Sequence, residues 1–304
     1  MKHNYCATIG FFDGVHRGHQ YLIRQLAQLA HTTGREALVV TFDRHPRQVV
    51  HADYVPQLLT TTSTKVRLLA ATAADRVEVL HFDEAMARLS ARDFMREVLL
   101  ERYGATLLLT GYDNRFGHNR AESFADYVRY GKEMGMEVVG GEPVDIDGMR
   151  VSSSLIRRLL VEGNVVEASH CLGRPFAIEG NVGHGFQEGR RLGFPTANVV
   201  PTMADGLVPQ GGVYAARASV EGGVWLPAMV NIGTNPTFAR QRLTIEAHLI
   251  GFEGDIYNRP ITVEFIERMR GEQRFANADE LKEQLLADQS EALRIIDIEK
   301  PILL

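Results

Sequence analysis

Along residues 1–140 short apolar runs alternate with amphipathic helical stretches, the pattern of a parallel sheet wrapped by helices. The runs predict strands at Ala7–Ile9, Ala37–Phe42, Val77–Phe82, Thr106–Thr110 and Glu137–Val139. Between the first two, Leu22, Leu26 and Leu29 recur at helical spacing and predict a helix over Arg17–Ala30, with Gly34 as its stop. Ser90-Ala91-Arg92-Asp93 has the form of a capping box opening a second helix, which Gly104 ends. Ser152-Ser153-Ser154 caps a helix running to Glu162 before Gly163, and another short helix reaches Leu172. From Phe176 to Met269 the pattern changes to β-rich segments separated by Gly, Pro and Asn, which predicts an antiparallel barrel. One helix over Ala278–Ile296, with Leu281, Leu285, Leu286, Ala292 and Leu293, is left to cover it. The expected fold class is therefore α/β plus β: a Rossmann-like N-terminal domain over residues 1–170 and an antiparallel β-barrel with a C-terminal helix over residues 171–304.

Composition agrees with this division. A chain of 304 residues exceeds what one core usually supports, and with 45% hydrophobic and 23% charged residues it is folded throughout. A formal net charge of −5 with scattered Lys and Arg argues against a nucleic-acid partner. No apolar run approaches a membrane span of roughly 18 residues, and Met1-Lys2-His3-Asn4 lacks the apolar stretch of a signal peptide. The expectation is a cytoplasmic protein without membrane partners, its oligomeric state left open, a homo-oligomer included. Cys6 and Cys171 stand at no metal-type spacing and are expected to be small buried hydrophobes.

The most informative stretch is Gly10-Phe11-Phe12-Asp13-Gly14-Val15-His16-Arg17-Gly18-His19, between the first strand and the first helix. Strand, glycine-rich turn and helix N-terminus together make an anion site, because unpaired N–H groups and the helix dipole face the same space. Two imidazoles beside a bound phosphate suit nucleotidyl transfer, where donors stabilise charge on the α-phosphate and departing pyrophosphate. Taken alone, a His-x-x-His pair would leave one His as a helix cap and the other exposed. It could also offer two ligands to zinc, although no third ligand stands at a metal-like spacing.

Gly10–His19 resembles the HxGH signature of the nucleotidyltransferase superfamily, and its extended form FDGVHRGH is similar to the prokaryotic bifunctional riboflavin kinase/FMN adenylyltransferase (FAD synthetase) family. Thr41-Phe42-Asp43-Arg44-His45-Pro46 resembles that family's TFxPHP segment, Gly111–Gly117 its GxDFxFG loop, and Val151–Arg157 its SSTxIR motif; Arg44, Asn114, Ser154 and Leu155 depart from the pattern. The resemblance implies that Gly10, Phe11, Asp13, His16, Gly18 and His19 hold ATP and that Ser152, Ser153 and Arg157 grip phosphate from the opposite side. It further implies that His45, Pro46, Asp113 and Phe116 line a flavin pocket. The family's longer lead-in implies that the start of this chain is shortened.

A second constellation runs from Gly180-Asn181-Val182-Gly183-His184-Gly185 to Pro195-Thr196-Ala197-Asn198. There is no Walker A sequence, so ATP here would be held otherwise; Gly183 and Gly185 permit close backbone approach to phosphates. Thr196 and Asn198 point the same way in an extended strand and can converge on one Mg²⁺. Thr244-Ile245-Glu246-Ala247-His248 again places polar groups on one strand face, and Glu246 near the metal could accept the proton of an attacking alcohol. Read singly, Glu246 would be a solvent-facing residue and Pro195–Asn198 a turn.

Together these segments resemble the riboflavin kinase domain, with Gly189–Asn198 close to its GRxLGxPTAN motif and Gly212–Tyr214, Asn231–Gly233 and Arg270–Glu272 like its later landmarks. That implies Thr196 and Asn198 at Mg-ATP, Glu246 as general base on the 5′-hydroxyl of riboflavin, and Arg270 near the flavin, although an Arg after a strand is ordinarily solvated. The implied substrates and products are riboflavin, FMN, FAD, ATP and ADP. Two other readings stay open: a monofunctional HxGH nucleotidyltransferase with another substrate, and a non-catalytic flavin-binding regulatory protein.

Overall fold

The runs Tyr5–Ile9 (β1), Glu36–Phe42 (β2) and Ala105–Thr110 (β4) are apolar nearly end to end because they lie inside a parallel sheet. Arg76–Leu80 (β3) and Glu137–Gly140 (β5) are the more exposed edges, giving the order β3-β2-β1-β4-β5. The computed structural model describes residues 4–50, 53–111, 115–142, 145–146, 148–184, 189, 192–237 and 240–298. Alternate side chains feed two cores. Tyr5, Ala7, Ile9, Leu38 and Val40 pack with Phe94, Met95 and Leu99 on one face. Cys6, Val39, Leu107 and Leu109 pack on the other with Ile23 and Leu26 of Arg17–Thr32 (α1). β1 has β2 on one side and β4 on the other, so the chain reverses its direction of travel there and leaves a crevice beyond the carboxyl ends of these strands.

Other helices escaped the sequence reading: Pro46–Val50 (α2), Thr62–Ala70 (α3), Glu84–Arg88 (α4) and Phe124–Met134 (α6). The helix expected after Ser90 starts at Ala91–Asp93 (α5), with Ser90 accepting from the Asp93 N–H at 3.1 Å. It then widens into π-type bonding over Phe94–Arg102 before Gly104, whose φ is 72°. The predicted strand Val77–Phe82 ends at Leu80, because Phe82 turns away to donate its N–H to Asp43 at 3.0 Å. A two-stranded hairpin, Asp145–Ile146 (β6) and Met149–Arg150 (β7), follows.

Packing divides the chain into two units, Met1–Ser153 and Ser154–Leu304. The division falls earlier than residue 170 because Ser153–Val161 (α7) and Val165–Leu172 (α8) are tied to the second unit. Leu160 accepts from the Gln210 N–H at 3.0 Å, and Ser169 Oγ accepts from the Phe176 N–H at 3.4 Å.

The second unit is a closed antiparallel barrel of Phe176–Gly183 (β8), Ala197–Pro201 (β9), Gly212–Val220 (β10), Trp225–Thr237 (β11), Arg240–Leu249 (β12) and Pro260–Arg270 (β13). Its order is β10-β11-β12-β9-β8-β13. Ala215, Met229 and Ile266 face outward onto Ala292 and Ile295 of Ala278–Ile298 (α9), so the last helix covers the barrel as the sequence pattern predicts. Cys6 and Cys171 are buried, and burial pushes the Cys6 thiol up to about 12, which removes it from nucleophilic chemistry. Among the described residues no helix is long and apolar enough to cross a membrane.

α9 is also held by charge. Arg270 donates to Asp288 through Nε at 3.0 Å and Nη2 at 2.6 Å, and Gln284 Nε2 donates to the same carboxylate at 2.9 Å. Arg270 is therefore not a solvated arginine: its side chain is 16% exposed and that of Asp288 5%. Asp288→Ala would leave a buried guanidinium without its partner. It is expected to destabilise the second unit by about 3–5 kcal/mol, read as a lowered urea midpoint. An unchanged midpoint would show the pair to be dispensable.

Candidate active sites

The turn after β1 is built against backbone preference. Phe12 and Val15 have φ of 56° and 41°, and Gly14 has φ of 78°. A β-branched residue at positive φ persists only where its surroundings impose it. Here they do. The buried Asp13 carboxylate accepts from the Leu59 N–H at 3.0 Å and the Thr60 N–H at 3.3 Å, while Gly14 N–H donates to Thr60 Oγ1 at 3.2 Å. Thr41 Oγ1 donates to the Phe11 carbonyl at 3.0 Å, Gln20 Nε2 to that of Val15 at 2.9 Å, and Ser153 Oγ to that of Asp13 at 3.0 Å. Asp13 and Ser153, both expected at ATP, thus also brace the turn itself.

His16 is the N-cap of α1, its Nδ1 accepting from the His19 N–H at 3.3 Å. The capping alternative therefore holds for His16, yet His19 is not an exposed bystander. Its ring stacks on His16 at 3.6 Å between centroids and meets the edge of Phe12 at 5.1 Å. A side chain at Gly18 would place its Cβ 3.1 Å from the His16 ring, so glycine keeps that ring in position. Burial first, then the charges of His16 and Lys65, hold the His19 imidazole well below its ordinary pKa. His19 is thus a neutral imidazole, and its Nδ1 is buried without a hydrogen-bond partner among the described residues. No group of three or more His, Cys, Asp or Glu side chains that could hold a metal stands among the described residues.

Beside the turn lies a cavity of about 130 Å³ lined by Gly10, Phe11, His45, Pro46, Phe82 and Phe116, among others. It gathers the expected flavin-side residues Pro46, Phe116 and His45, whose ring meets Phe11 edge-on at 4.8 Å. Phe116 stacks on Tyr127 at 4.4 Å, and the Tyr127 hydroxyl accepts from the Phe116 N–H at 3.1 Å. Phe82, Met86, Leu89 and Phe94 also line the cavity and were missed. In sequence they are ordinary core residues, and only the fold opens space beside them. Asp113 lies outside the described residues. Ser152 directly precedes α7, and Arg157 lies on α7 in the second unit.

On the barrel the register does the gathering. Glu246 stands directly opposite Asn198 on β9 and opposite Asn231 on β11. Asn198 in turn stands opposite Gly183. Residues facing each other across an antiparallel pair share a face, so Gly183, Asn198, Glu246 and Asn231 form one row around the outside of the barrel. Thr196 joins it from the residue before β9, its Oγ1 donating to Glu246 Oε2 at 3.5 Å. His248 Nδ1 lies 2.8 Å from the Pro195 carbonyl and so pins the Pro195–Thr196 segment. A cavity of about 560 Å³ opens beside Thr196, lined also by Val182, Leu249, Phe252, Asp255 and Tyr257. Asn231 is the residue the sequence underrated, since its chemistry appears only when β11 is registered on β12. Gly185 lies outside the described residues.

Residues 1–155 match the FAD synthetase family and residues 172–296 the riboflavin kinase family. The chain is 37% identical over 294 residues to a bifunctional riboflavin kinase/FMN adenylyltransferase of Escherichia coli (strain K12), covering 97% of this chain and 93% of that protein. It is 38% identical over 293 residues to one from Pseudomonas fluorescens, covering 96% and 93%. A solved structure described as a macrolide-efflux protein from Streptococcus pneumoniae is similar at a TM-score of 0.86 and 29% identity, covering 96% of this chain and 94% of its own. With both family matches laid end to end and relatives aligned over nearly the whole length, the chain belongs to the bifunctional riboflavin kinase/FMN adenylyltransferase family.

Proposed function

We propose that this chain phosphorylates riboflavin to FMN at the barrel and adenylylates FMN to FAD at the turn after β1, using ATP in each step. The observation that carries the reading is the match of each half to one family. A functional boundary near residue 170 is supported by the gap between the segments matched at 1–155 and 172–296.

At the barrel, Glu246 accepts the proton of the riboflavin 5′-hydroxyl as its oxygen bonds to the γ-phosphorus of ATP and the bond to the β-phosphate oxygen breaks, releasing ADP. Thr196 Oγ1, Asn198 Oδ1 and the Glu246 carboxylate are hard oxygen donors of the kind Mg²⁺ takes. Mg²⁺ when bound neutralises charge on the transferring phosphates. The cavity beside Thr196 suits the nucleotide, with Gly183 close to its phosphates. Arg270, held by Asp288, shapes the flavin side.

At the turn, an FMN phosphate oxygen attacks the α-phosphorus and pyrophosphate leaves, with no proton to move because the attacking oxygen is already ionised. Gly10, Phe11 and Gly18 bring backbone close to the triphosphate, and His16 and His19 face its charge. Ser152 supplies a hydroxyl to phosphate, and His45, Pro46 and Phe116 take the flavin. Catalysis in both steps is positioning and electrostatics rather than covalent attachment. Dependence on ATP and flavin supports a cytoplasmic setting.

The test is incubation with riboflavin and Mg-ATP, with products separated by chromatography over time. FMN is expected first and FAD after it. Absence of FMN would refute the kinase assignment, and FMN that never becomes FAD would refute the transferase.

A further inference from the structure

α3 carries a buried cation that neither reaction uses. Lys65 is 1% exposed. Its Nζ donates to the Phe42 carbonyl at 2.7 Å and stands 3.7 Å above the centre of the Phe11 ring. Phe11 belongs to the turn after β1, lines the flavin-side cavity and meets His45 edge-on. Burying an ammonium costs several kcal/mol, and a methionine would fill the same space without that cost. We propose that Lys65 is a positioning residue for FMN adenylylation, a charged strut behind the turn that acts through Phe11 and His19 rather than by touching ATP. The inference rests on the reading of Gly10–His19 as the adenylyl-transfer site.

Two contacts give the strut its effect. The ammonium on the face of Phe11 is a cation–π contact that fixes the ring against the cavity. The same charge also helps to keep His19 neutral. The groups facing Lys65 are Asp13 from the turn and Asp43 after β2, both of which favour its charged form. His19, on α1, opposes it and is itself stacked on His16. Asp43 is in turn bonded to His81 at 2.6 Å and lies near Arg44.

Burial pulls the Lys65 pKa down from 10.5 to about 8. Raising the pH through about 8 therefore removes the charge, and FAD formation should fall there. Stability moves the other way. Between about 8 and 10.5 the unfolded chain binds more protons at this site than the folded one, so the folded state gains as pH rises. Discharge of Lys65 cannot remove activity in that window by unfolding the protein.

The experiment uses the full-length chain as wild type, Lys65→Met and Lys65→Arg. FAD formation from FMN and FMN formation from riboflavin are followed in the same samples between about pH 6 and about 9.5. Wild-type FAD formation should fall on the order of tenfold from about pH 7 to about 9.5, following the discharged fraction. Lys65→Met should be at least about tenfold slower at neutral pH and lack the alkaline fall, while Lys65→Arg should keep more of the neutral rate and also lack the fall. FMN formation should be unchanged in all three. A uniform loss in Lys65→Met with the wild-type pH profile would reduce Lys65 to a packing role and overturn the inference. If Lys65→Met does not fold, an alkaline fall that persists in Lys65→Arg overturns it equally. Undiminished FAD formation in His19→Ala would refute the site reading itself, whereas normal Lys65 variants beside an inactive His19→Ala would refute this inference alone.

Discussion

His19→Ala should lower FAD formation from FMN by about a hundredfold to a thousandfold while riboflavin is still converted to FMN. Removing one preorganised donor at a site of developing charge costs about 10²–10³ in rate. His19 is such a donor if its neutral ring faces the α-phosphate, and its loss also unstacks His16, 3.6 Å away. The fold should survive. The cap of α1 uses the backbone N–H of residue 19 as donor and His16 as acceptor, so alanine keeps it. FMN accumulating in place of FAD is the expected chromatogram. Loss of both products together would mean that the two sites are not independent.

Glu246→Gln should do the reverse, with FMN formation falling by about 10²–10⁴, the usual contribution of a general base, while supplied FMN still becomes FAD. The amide keeps the shape of the side chain and can still accept from Thr196, so the row with Asn198 and Asn231 should persist. What it loses is the ability to take the proton of the riboflavin hydroxyl. Retention of kinase activity in Glu246→Gln would move the base elsewhere, and His248 would then be the next candidate on that strand face.

The central strands were legible because β1, β2 and β4 are buried nearly throughout, so their apolar runs have no competing explanation. The barrel was legible from its punctuation, and α9 from its apolar stripe. α3 and α6 were not. Thr62–Ala70 opens on Thr-Ser-Thr-Lys, which reads as a polar loop until Thr61 is seen to cap it and Lys65 to be buried. The π-type widening after Asp93 is a choice of hydrogen-bond partner, i−5 rather than i−4, to which side-chain spacing is nearly blind. Motifs pointed to both candidate sites but not to what each member bonds. Asp13 looks like a ligand in sequence and bonds to Leu59 and Thr60 in the fold, while Arg270 looks solvated and is clamped by Asp288. Each of these roles depends on a partner at least eighteen positions away.

Closure of the barrel makes its chemistry intolerant of length changes. Side chains alternate in and out along each strand, so adding or deleting one residue between Ala197 and Pro201 would turn Asn198 toward the interior and bring an apolar neighbour to the surface. In an open sheet an end strand could slide to absorb the error. Here β9 is bonded to both β12 and β8, and neither neighbour can shift without disturbing the next around the circle. Natural variation in this half of the enzyme should therefore take the form of substitutions within the strands, with insertions confined to the connections between them.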